Sequence, residues 1–124
     1  MLKAVKIVVE NTILQGELFD SVCAQAIIYS LPIVARPNEW GDEFYFEIPV
    51  EMPLDETATK KVKVGDIGYW PPGKALTIFF GPTPMSTGLA PVPASEVNIV
   101  GKILDDAALL KREKGARKIR IESA

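Results

Sequence analysis

Within Trp40-Gly41-Asp42-Glu43-Phe44-Tyr45 the chain places an indole, a carboxylate and a phenol close together. Glu43 and Tyr45 stand two positions apart, the spacing at which side chains project from the same face of a strand. Such a pair can serve as a base and a hydrogen-bond donor, or it can be an ordinary solvated strand face. Further along come Trp70, Lys74, Phe79, Thr83, Met85 and Ser86. With Trp40, Glu43 and Tyr45 they are expected to gather around one concavity, because aromatic walls with a few polar groups make a ligand pocket. The alternative is that Trp70 and Phe79 are core and the others surface. Lys74, after Pro71-Pro72-Gly73, either meets an anionic ligand or keeps a tight turn soluble.

The missing residue types restrict the chemistry. The chain has no histidine, so the commonest general base and metal ligand are absent, and Ser-His-Asp or Cys-His nucleophile activation is excluded. Carboxylates, Lys, Tyr and backbone donors remain. A single cysteine, Cys23, rules out an intramolecular disulfide and is expected to pack inertly on an apolar helix face. Residues 39–56 hold seven carboxylates and no basic residue, but lack the spacing of a calcium loop, so neither a metal nor another cofactor is expected.

Net charge is −2, with no basic cluster interleaved with aromatics, which argues against nucleic acid as a partner. No apolar run approaches the ~20 residues that span a bilayer, and residues 1–10 lack a signal peptide's apolar core. A cytoplasmic protein without membrane partners is expected. At 124 residues and 48% hydrophobic composition, the chain fits one domain over residues 1–124.

Several elements must position these side chains. Residues 3–10 alternate, with Val5, Ile7 and Val9 on one face, and pair as a hairpin with residues 13–18. Residues 21–31 carry the apolar periodicity of a helix capped by Asp20 or Ser21 and stopped by Pro32. Residues 43–48 set Phe44, Phe46 and Ile48 against Glu43, Tyr45 and Glu47. Strands are predicted over 61–64, 67–70, 75–80, 96–103 and 118–122, a type II turn at Pro71-Pro72-Gly73, and a short helix opened by Asp105-Asp106. Residues 81–93, with four prolines, read as a long ordered loop suited to binding.

This element order, together with residues 40–46, Gly65-Asp66-Ile67-Gly68-Tyr69-Trp70-Pro71-Pro72-Gly73-Lys74-Ala75-Leu76 and Phe79-Phe80-Gly81-Pro82-Thr83-Pro84-Met85-Ser86, resembles the small prokaryotic family of cyclophilin-like domain proteins of unknown function. The resemblance covers nearly the whole chain. It implies a mainly β fold: a closed antiparallel barrel of about eight strands capped by two short helices. True cyclophilins carry their catalytic Arg in a Phe-His-Arg strand followed by Gln-Gly-Gly-Asp, and neither stretch is present here. Arg36 is the only arginine before Arg112.

Three functions follow as expectations. The first is a module that binds a small molecule or a proline-containing peptide in an aromatic-lined pocket. The second is an enzyme, either a weak prolyl isomerase or a hydrolase using Arg36, Glu43 or Lys74. The third is a homodimeric interaction subunit that hides the pocket rim.

Overall fold

The computed structural model describes residues 2–124. The first pair of strands follows from simple alternation: β1 (Lys3–Val9) and β2 (Thr12–Leu18) pair antiparallel with Val9 opposite Thr12, so the turn is Glu10-Asn11. Val5, Ile7 and Val9 are wholly buried, as expected. Helix α1 (Val22–Tyr29) begins where the Ser21 hydroxyl accepts the Ala24 N–H at 3.2 Å. It buries Cys23, Ala24 and Ile27 and leaves Val22 and Tyr29 in solvent.

The remaining strands are β3 (Ile33–Ala35), β4 (Asn38–Glu39), β5 (Glu43–Glu47), β6 (Ala58–Thr59), β7 (Asp66–Trp70), β8 (Ala75–Phe79), β9 (Val97–Ile103) and β10 (Ile119–Ser123). They form one antiparallel sheet in the order β3-β10-β1-β2-β9-β7-β8-β5-β4, with β6 added beside β9. Its two edge strands, β3 and β4, are joined through only Arg36 and Pro37, so the sheet has to curl round until its edges come close. Among the described residues no ladder joins those edges. The barrel is therefore open along a seam at Arg36-Pro37, not closed, and it has ten strands instead of about eight. Pro37 has no N–H to offer a ladder.

Other local differences have physical reasons. Pro71–Gly73 forms a 3₁₀ turn, and Lys74 (φ 48°) takes the left-handed position that a type II turn would have given to Gly73. Residues 61–64 are not a strand; the short strand of this region is β6, where Ala58 and Thr59 pair with Asn98 and Val97 of β9. The C-terminal helical segment Ala107–Glu113 is 3₁₀, capped by the Asp106 carboxylate on Ala108 N–H at 3.1 Å.

The main core fills the inside of the curl. Phe44, Phe46, Ile67, Tyr69, Leu76, Ile78 and Val100 share one cluster with Cys23 and Ile27 of α1 and Leu110 of the 3₁₀ helix. Polar straps fix the segment between β5 and β7. The buried Tyr69 hydroxyl donates to Val50 O at 2.6 Å and accepts from Met52 N–H at 3.3 Å. Asn98, wholly buried, accepts from Asp55 N–H at 2.8 Å and donates to Pro53 O at 3.0 Å. On the other face of β7, β8 and β9 lies a smaller apolar cluster of Val62, Phe79 and Val97, with Trp70 and Ile99 against it. Among the described residues no helix is long and apolar enough to cross a membrane.

Candidate functional site

The face of β5 that turns away from the main core carries Glu43 and Tyr45. The register puts Phe79 opposite Glu43 and Thr77 opposite Tyr45, then Gly68 opposite Thr77 and Trp70 opposite Ala75. These side chains share one face of three adjacent strands, so they meet over a common floor. Gly68 opens that floor: a Cβ there would sit 2.7 Å from Thr77 Oγ1 and 3.0 Å from Val97 Cγ2. The result is a cavity of about 150 Å³ lined by Trp40, Glu43, Tyr45, Trp70, Thr77, Pro93, Ala94 and Val97.

Each wall is held from outside. The turn before β5 needs Gly41 at φ 62°, where a Cβ would stand 2.8 Å from both Thr83 Cα and Pro84 Cδ. Trp40 N–H donates to Glu43 O at 3.0 Å, and Asp42 N–H donates to Pro82 O at 2.9 Å. The Asp42 carboxylate is clamped by Lys114 at 3.1 Å and Lys111 at 3.9 Å, which ties this turn to the 3₁₀ helix. Across the cavity, the Trp70 indole N–H donates to Ser95 Oγ at 2.7 Å. That bond holds the indole against the end of the long loop, beside Pro93 and Ala94.

The floor has unusual electrostatics. Glu43 is only 6% exposed and Thr77 only 2%. Among the described residues, Glu43 Oε1 and Thr77 Oγ1 are the two buried side-chain polar atoms with no hydrogen-bond partner, and both residues line this cavity. Burial pushes the Glu43 carboxyl up to about 8, with no neighbouring charge contributing to the shift. At neutral pH the carboxyl is therefore mostly protonated, a donor and acceptor in an aromatic chamber.

The nine residues singled out in the sequence divide. Trp40, Glu43, Tyr45 and Trp70 line the cavity together. Phe79 is wholly buried beside it, packed with Val62 and Val97. Lys74 lies outside, exposed and 3.6 Å from the Glu51 carboxylate. Thr83 and Ser86 brace the long loop: Thr83 N–H donates to Ser86 Oγ at 2.9 Å, the Thr83 hydroxyl donates to Val92 O, and the Ser86 hydroxyl donates to Ala90 O at 2.8 Å. Met85 is exposed on that loop, and Arg36 is exposed at the seam. Sequence reasoning did not single out Thr77, Pro93, Ala94 or Val97. Thr77 carried a usable signal, a lone hydroxyl alternating with Leu76 and Ile78 in a strand buried throughout. Among the described residues no group of three or more acidic or Cys side chains is placed to hold a metal.

The family model described as cyclophilin-like matches residues 3–122. The solved structure of a hypothetical protein, AF2241 from Archaeoglobus fulgidus, shares 35% identity over 98% of this chain and 95% of its own, with a TM-score of 0.81. The structure of McbB in complex with tryptophan shares 14% identity over 96% of this chain, with a TM-score of 0.70, and this chain spans only 44% of its length. No curated protein matches the chain.

Proposed function

Since the chain belongs to the cyclophilin-like family, we propose that its open barrel is a small-ligand-binding module whose site is the chamber between β5, β7, β8 and the long loop. Trp40, Tyr45 and Trp70 are its walls, and Glu43 and Thr77 its polar floor. The observation that carries this reading is the pair of unpartnered buried oxygens on two residues that line one cavity. Burying an oxygen without a partner costs about 1–3 kcal/mol, and a ligand that completes both bonds recovers that cost on binding. The occupant suited to this volume is a small molecule, since a cavity of about 150 Å³ accepts a benzene-sized body. McbB, a neighbour in fold of whose length this chain spans 44%, is named in complex with tryptophan.

A second reading rests on Glu43 alone. A carboxyl near 8 is matched to general acid–base work at neutral pH, so the bound molecule can be a substrate. A homodimer that covers residues 81–93 is the remaining proposal, and solution mass decides it.

The binding reading is tested by titration calorimetry with any ligand found by screening. Trp70→Ala and Tyr45→Ala should weaken binding about tenfold or more, while Glu51→Ala, a change at the exposed partner of Lys74, should leave it unchanged. Equal effects from all three contradict the placement of the site.

A further inference from the structure

Resting on that binding reading, we propose that the chamber selects a protonated primary amine carried on a short apolar or aromatic stem. Three features of the lining point to this class. First, three aromatic rings, Trp40, Tyr45 and Trp70, surround the space, and the faces of such rings attract ammonium groups within about 6 Å. Second, the two orphan oxygens, Glu43 Oε1 and Thr77 Oγ1, are both able to accept, and an ammonium group brings three N–H donors. Third, none of the eight lining residues is basic, so the carboxyl has no cation of its own and anions find no counter-charge.

The surroundings of Glu43 make the selection dependent on pH. From β5 the other titratable lining group is Tyr45; β7, β8 and the loop contribute Trp70, Thr77, Pro93 and Ala94, which do not titrate. Asp42, the neighbour in sequence, is held by Lys111 and Lys114. An arriving ammonium must displace the Glu43 proton to solvent, because its attraction is to the carboxylate. Charge balances in that step: one proton leaves as one cation enters. Below the carboxyl's apparent value near 8, only the ionised fraction is competent, and apparent affinity scales with that fraction.

Benzylammonium and its neutral counterpart benzyl alcohol separate the possibilities. Both tryptophans of the chain line the cavity, so the two indole N–H signals in an NMR titration report on it alone. Benzylammonium should move both signals and tighten about tenfold from pH 6 to pH 7. Calorimetry at pH 6 in two buffers of different ionisation enthalpy should show release of close to one proton per ligand. Glu43→Gln should weaken benzylammonium by at least about tenfold and abolish the pH dependence, without loss for benzyl alcohol. If benzyl alcohol binds the wild type as tightly as benzylammonium and no proton is released, the ammonium inference is overturned while the binding reading stands. If neither probe moves either indole signal, both fall.

Discussion

Glu43→Gln should make the protein less sensitive to alkaline pH, and the size of the effect follows from burial. The carboxyl sits at about 8 in the folded chain against 4.5 for its unperturbed value. A folded value above the unfolded one means that the native state binds the proton more tightly, so stability falls as pH rises between the two values. At pH 5 the unfolded carboxyl is already largely ionised and the folded one is protonated; by pH 8 the folded one is half ionised. Integrating over that window, with ~1.4 kcal/mol per pH unit, gives a loss of about 3–4 kcal/mol from this one group. Glutamine keeps the shape and cannot ionise, so the loss should vanish in the variant. The assay is urea unfolding of both proteins at pH 5, 6, 7 and 8. The stability difference between them should be within about 1 kcal/mol at pH 5 and should move in favour of Glu43→Gln by about 3–4 kcal/mol at pH 8. A difference that stays flat with pH would refute the burial of this carboxyl without a counter-charge.

Three further outcomes are expected. Cys23→Ser should cost about 1–2 kcal/mol in equilibrium unfolding and leave ligand binding intact, since the thiol is wholly buried under α1; because burial pushes that thiol up, a thiol reagent should modify it only slowly in the native protein. Gly68→Ala should push Thr77 and Val97 apart and weaken ligands more than it weakens the fold, judged by comparing calorimetric affinity with the unfolding midpoint. Prolyl isomerisation of an Ala-Pro peptide, followed by NMR exchange spectroscopy, should be no faster with catalytic protein than without, because Arg36 lies exposed at the seam and does not line the cavity; fast exchange abolished by Arg36→Ala contradicts this.

Much of the scaffold is written in alternation. The faces of β1, β5 and β10 follow directly from period two, and Ser21 marks the start of α1. The edge strands are not legible in this way, because β3 and β4 are only three and two residues long and exist through pairing with β10 and β5, a non-local contact. The seam is likewise a property of the whole curled sheet and not of any segment. In the site, the aromatic residues announced themselves by type. Lys74 and Met85 do not line the cavity: one follows a turn, the other tops a loop, and both are exposed. Thr83 and Ser86 bear on the site indirectly, by bracing the loop whose far end supplies Pro93 and Ala94. The character of Glu43 could not be read from its neighbours: a glutamate alternating with phenylalanines looks solvated until the sheet sets Phe79 opposite it and Trp40 and Thr77 beside it in one cavity lining.

The most direct test of the chamber is a fragment screen on ¹⁵N-labelled protein, reading the two indole N–H signals of Trp40 and Trp70 alongside the backbone amides. Binders should shift both indoles together with the amides of Glu43, Tyr45 and Thr77, and should lose affinity in Trp70→Ala. Binders that leave both indoles unmoved and cluster instead around Val8, Glu10, Lys118 and Arg120, a second hollow beside β1 and β10, would contradict the assignment of the site.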